Sequence, residues 1–228
     1  IHDDLWARTM ILDDGSTRIA LVSIDVIGFF YDDVLDVRKQ LKSEAGIDYL
    51  TIASTHTHEG PDLMGIWGKS PLKSGVDPKY LQYVKNQIVA SVEQAVANIR
   101  PVRLLIAQDH ERGMKTLADT RLPHVFDPGI RLIQAIDRET DQTLGTLFAW
   151  ANHPETLWSQ NLLITSDFPH YVREYVENGI YHNDSLVTPG IGGVTVYING
   201  AIGGLMTTHP TTPVQDPFED TIYLKPSF

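Results

Sequence analysis

A chain of 228 residues that is 42% hydrophobic and 21% charged has a globular composition, with material for one large core or two modest ones. Its formal charge of −11, with Lys and Arg scattered, argues against nucleic-acid backbones and anionic membrane surfaces as electrostatic partners. Cysteine is absent, which excludes disulfides, thiolate nucleophiles and Cys-ligated zinc, and leaves His with Asp or Glu as the first choice for any metal.

The elements alternate along the chain. Arg18 to Val26 is β-branched and nearly continuously apolar after the turn-forming Asp13-Asp14-Gly15-Ser16, as expected of a strand covered on both faces. Asp32 to Ala45 places Val34, Leu35, Val37 and Leu41 at helical spacing before Gly46, and Tyr49 to Ser54 reads as a buried strand. A Gly/Pro-rich loop, Glu59 to Asp77, is long enough to suggest a functional role, and Pro78 then starts a helix striped by Leu81, Val84, Ile88, Val92, Val96 and Ile99. Val102 to Gln108 is a further strand, the region 111–128 is irregular, and Ile130–Asp137 with Leu144–Asn152 form a hairpin. Phe168 to Asn178 is helical and Val194 to Ile198 is a last strand. The order βαβαββαβ predicts an α/β fold: a mixed β-sheet core flanked by helices, with active-site loops at strand ends. No linker divides residues 1–228, so they read as a single domain, and the termini read as those of a segment of a longer polypeptide. No apolar run approaches the roughly 20 residues that span a bilayer, so no transmembrane segment is expected.

Three strand-end loops carry polar residues suited to chemistry. In Ser54-Thr55-His56-Thr57-His58-Glu59-Gly60-Pro61, two imidazoles at i and i+2 leave one strand face and can converge on a single borderline metal. Alone, such a pair is more often a surface or core-satisfied feature. A second loop, Asn152-His153-Pro154-Glu155, delivers another histidine in the same way. Next, Thr165-Ser166-Asp167-Phe168 precedes a helix, so Ser166 or Asp167 serves as N-cap. Asp167 is also suited to orienting a ligating imidazole through its second nitrogen, with Asp25 as rival. The third loop, Asn199 to Gly204, is either a tight turn or a place where Asn199 and Gly200 approach a bound group; it lacks both dinucleotide and P-loop spacing.

These stretches, taken with Ile1-His2-Asp3-Asp4-Leu5-Trp6-Ala7-Arg8, resemble the neutral/alkaline non-lysosomal ceramidase family in order and approximate spacing over nearly the whole chain. The resemblance implies a zinc-dependent amidase that cleaves the N-acyl bond of an amphipathic, ceramide-like lipid, is secreted or periplasmic, and has a C-terminal domain outside this chain. It also implies His56 and His153 as zinc ligands, and His58 as a catalytic neighbour that polarises or hydrogen-bonds the scissile carbonyl. Zinc would acidify water and stabilise the oxyanion. Two departures stand out. Where the family carries Gly-Asp-Val-Ser-Pro with an active-site serine, this chain reads Gly203-Gly204-Leu205-Met206-Thr207, and methionine neither attacks nor donates a proton. That change leaves three alternatives: hydrolysis proceeds by metal-bound hydroxide alone, Thr207 or Thr208 substitutes, or the substrate is not ceramide. The family's remaining ligands, a glutamate and a tyrosine, fall beyond Phe228. Rival readings are a ligand-binding relative that does no catalysis, and a two-carboxylate hydrolase using Glu59, Glu155 or Asp167.

Overall fold

The computed structural model describes residues 1–41, 45–117, 119, 122–203 and 213–223. Its mixed β core is divided between two sheets. The first has β1 (Ala7–Asp13) antiparallel to β2 (Arg18–Ile24), which runs parallel to β3 (Tyr49–Ser54). The second has the order β4 (Val102–Asp109), β5 (Ile130–Asp137), β6 (Thr143–Trp150), β9 (Val194–Asn199), with β6 and β9 parallel. The Ser23 hydroxyl on β2 donates to the Tyr197 carbonyl on β9, and Arg8 on β1 reaches the Thr195 carbonyl, so the second sheet meets the first through its edge strand β9.

Two helices cover the outer face of the first sheet, and a third lies along β9, the edge strand of the second. Helix α2 (Pro78–Ala97) starts because Asp77 accepts from the Lys79 and Tyr80 N–H groups and Pro78 has no N–H to leave unpaired. Its stripe of Val84, Ile88 and Val92 packs on Ala20, Val22 and Ile24 of β2 and on Leu50 of β3. Helix α1 (Tyr31–Gln40) adds Val37 to that core and is tied to α2 by the Lys85 ammonium, paired with Asp33 at 2.7 Å and Asp36 at 3.0 Å. On the far side, α3 (Phe168–Glu177) sets the Phe168 ring edge-on to Tyr197 at 5.6 Å. Hairpins β7 (Gly179–His182) with β8 (Ser185–Pro189), and β10 (Val214–Gln215) with β11 (Ile222–Tyr223), complete the order.

Several boundaries differ from the periodicity. The first helix ends at Gln40 rather than running to Ala45, because Leu41 turns extended, and the strand expected over 18–26 stops at Ile24. Strand β1 was not anticipated at all: its Arg8 and Thr9 dilute the apolar pattern, and pairing with β2 supplies the order that propensity does not.

The chain's first residues are strapped across the strand ends. Asp3 accepts the Ser166 N–H at 2.9 Å, the Ser166 hydroxyl at 2.8 Å, the Thr165 hydroxyl, and a bond from His2 at 2.8 Å. Burial raises its carboxyl pKa, but these donors outweigh burial and hold it below the usual value. A carboxylate depressed in the fold stabilises above its unfolded pKa and loses that contribution as pH falls through the folded one. Urea unfolding of Asp3→Asn should therefore show a loss of about 1.5–3 kcal/mol at pH 7 that shrinks as pH drops below about 4. A pH-independent deficit would contradict the charge-assisted strap.

Candidate metal centre

Because β2 and β3 are parallel, and β6 and β9 are parallel, four carboxyl-terminal strand ends gather on one side of the two sheets. His56 and His58 leave β3, and His153 leaves β6. His56 takes a left-handed φ of 71°, held by its N–H to the Val26 carbonyl, and its Nδ1 is 2.6 Å from the Ile27 carbonyl. That bond fixes the tautomer and leaves Nε2 free to ligate. His58 is anchored by its N–H to the Pro154 carbonyl, and Thr57 donates to the Thr165 carbonyl at 3.0 Å. The His56 and His153 ring centroids lie 4.6 Å apart and those of His58 and His153 4.9 Å, with Nε2 of His58 2.9 Å from Nε2 of His153. One ligand atom from each of the three rings falls within 4.8 Å of the others. The sequence-based split, two rings on metal and one on substrate, thus corresponds to a single group of three.

The donor set suits a borderline divalent cation. Burial, then His153 and His56, push the His58 pKa down to about 4, and burial also lowers that of His56. Rings that resist protonation are neutral ligands at physiological pH, and three nitrogens leave a fourth tetrahedral position open.

Acidic residues ring the imidazoles. Glu155 places Oε1 3.3 Å from His58 Nδ1 and Oε2 3.8 Å from His153 Nε2, and burial raises its pKa. Glu59 is pushed up to about 7 by burial and then by Asp167. Sequence reasoning considered both only for a two-carboxylate hydrolase; the signal missed was Glu155 two residues after a strand-end histidine.

Neither aspartate expected behind an imidazole is there. Asp25 is buried in a two-bond pair with Arg173, both 2.9 Å, and accepts the Trp6 N–H. Asp167 caps α3 as expected, through the Phe168 N–H, and also accepts the Thr156 N–H at 2.9 Å and hydroxyl at 2.7 Å. It does so from φ 62°, ψ −151°, a region nearly reserved for glycine. Arg173 and Thr156 have taken the two carboxylates, and the Ile27 carbonyl does the orienting. Met206, Thr207 and Thr208 lie outside the described residues.

Asn199 has a different part. Its Nδ2 donates to the Thr55 carbonyl at 2.8 Å and the Asn152 carbonyl at 2.9 Å, and its Oδ1 accepts the Asn152 N–H at 3.1 Å. One amide therefore joins the residues preceding His56 and His153, which belong to different sheets. Gly200 follows because a Cβ there would stand 2.9 Å from the Ala151 Cβ. Replacing Asn199 by Ala orphans three backbone groups, so urea unfolding should show a loss of about 2–4 kcal/mol. Gln82→Ala, whose exposed amide bonds Asn86 one helical turn on at 2.9 Å, should cost under about 1 kcal/mol. Equal losses would remove the cross-sheet role.

No family model matches this sequence. Solved structures do resemble it. Neutral ceramidase from Pseudomonas aeruginosa superposes with a TM-score of 0.74 at 23% identity, over 96% of this chain and 36% of that one. A ceramidase complexed with C2 superposes with a TM-score of 0.71 at 23% identity, over 91% of this chain and 34% of that one. The chain thus spans about a third of the length of these structures, and over that span it has the fold of a neutral ceramidase.

Proposed function

We propose that the protein is a metal-dependent hydrolase that cleaves an N-acyl amide bond, with a ceramide-like lipid as the substrate class. The convergence of His56, His58 and His153 carries this reading. The likeness in fold to neutral ceramidases supports the substrate class. His56, His58 and His153 would hold zinc, with His58 as third ligand in place of the carbonyl-facing role that the resemblance gave it. Zinc in that position supplies Lewis acidity, polarising an acyl carbonyl and acidifying water.

The chain's own groups do the rest. Ile27 holds His56 in one tautomer, and the 3.3 Å approach of Glu155 to His58 Nδ1 orients that ring. A carboxylate whose pKa is raised towards neutrality is suited to accept a proton from the attacking water and return it to the leaving amine. Asn199 and Gly200 serve the site by fixing the loops that bear His56 and His153. Among the described residues no helix is long and apolar enough to cross a membrane, and export of the enzyme belongs to the same proposal.

Zinc content and amide hydrolysis, measured on the same samples, test this. His56→Ala, His58→Ala and His153→Ala should each weaken zinc at least about 100-fold and abolish turnover. Wild-type zinc in His56→Ala or His153→Ala sinks the metal centre. Retained zinc with lowered kcat in His58→Ala restores that ring to the carbonyl. Glu155→Gln should keep zinc and lower kcat by about 10²–10⁴, and an unchanged kcat eliminates it as the base.

A further inference from the structure

The loops that build the metal centre end in exposed apolar side chains. The Trp67 ring lies 5.9 Å from that of His58 and is about half exposed. Leu72, between the bridged Ser70 and Lys73 at the tip of the same loop, is 96% exposed. The 156–166 loop meets this one at Glu59, whose carbonyl accepts the Thr165 N–H, and it exposes Leu162 (93%), Leu163 and Ile164. Phe30, also exposed, follows Gly28, which is packed against Met64. Single exposed leucines are ordinary, but aliphatic and aromatic side chains gathered on the loops around one site mark a surface that meets something apolar.

Charge narrows what that is. The chain carries −11, whereas residues 156–166 contain no ionisable side chain. An anionic leaflet would repel the body of the protein; the uncharged 156–166 segment needs no counter-charge to enter a zwitterionic interface, and Lys69 and Lys73 on either side of Leu72 suit its phosphates. Trp and Phe among aliphatics is the composition of segments that sit at headgroup level. We infer that the loops bearing Phe30, Trp67, Leu72 and Leu162–Ile164 dock on a zwitterionic lipid surface and bring the histidine group to an amphiphile still seated there. The inference rests on the lipid-amide reading above, and extends it from the bond cleaved to the phase in which the substrate is met.

Co-sedimentation of the full chain with phosphatidylcholine vesicles, which contain no substrate, tests docking apart from catalysis. The chain should bind them, and mixing in phosphatidylserine should weaken binding. Leu162→Ser and Leu72→Ser, at positions too exposed to support the fold, should each lower partition about tenfold, the contribution of one buried leucine. Ile106→Ser, on the β4 edge away from the strand ends and 79% exposed, should change nothing. No binding to phosphatidylcholine, stronger binding with phosphatidylserine, or an equal loss in Ile106→Ser would overturn the inference. So would a lipid-free dimer that Leu162→Ser converts to monomer, which assigns the rim to a second copy. Zinc content of the same samples keeps the two readings separate: zinc without partition removes only the docking, and partition without zinc removes only the metal centre.

Discussion

The candidate metal centre depends on one side-chain amide. His56 hangs from β3 in the first sheet and His153 from β6 in the second, and separate sheets slide more readily than hydrogen-bonded strands within one sheet. Asn199 removes that freedom by bonding Thr55 and both backbone groups of Asn152 at once. No charged or aliphatic side chain of similar size offers two donors and an acceptor in one plane. The three bonds close in a partly buried setting, where each unmade one costs more than in water.

Charge is distributed in two ways around that clamp. Beneath it run paired ions: Asp25 with Arg173, and Glu177 with Arg8 and the Thr195 N–H. Removing one member leaves its partner buried and uncompensated, so these pairs serve architecture. At the strand ends the arrangement reverses. His56 and His58 are driven towards neutrality, and Glu59, Glu155 and Asp167 towards protonation, because burial, with like-charged neighbours adding to it, disfavours the charged form of each. Groups shifted in this pattern are where a chain keeps its capacity to ligate a cation and move a proton.

Much of this was legible in the residues. The strand Tyr49–Ser54 and the start of α2 at Pro78 follow from local signals, an apolar run and an Asp-Pro cap, although that strand is the edge of its sheet and only Leu50 is buried, where the sequence read it as buried throughout. The strand-end placement of His56 and His153 was legible for the same reason. What was not legible is pairing across space. Nothing local says that Arg173 takes Asp25, that Ile27 offers its carbonyl to His56, or that β1 finds β2 while the β core divides in two. His58 was separated from the other two rings by resemblance alone; only the relative position of the sheets brings its Nε2 to 2.9 Å from that of His153.

The same geometry bears on where the proposed chemistry would sit. Towards the far end of β1, away from the histidines, a cleft of ≈860 Å³ opens between α2 and the inner face of the second sheet, lined by Met10, Ile11, Ile99, Leu144 and Val194. It is largely apolar, and the Arg8–Glu177 pair on its wall is mutually satisfied. Catalysis needs groups held together against their electrostatic preference, and strain to keep them there. The left-handed His56 and the glycine-like backbone of Asp167 are both at the strand ends, each over-determined by hydrogen bonds from a neighbouring loop. Left-handed backbone also occurs in the turns at Asp141, Asn183 and Asp184, but of all these residues only at His56 and Asp167 does it set a side chain of the candidate site or its supporting loop.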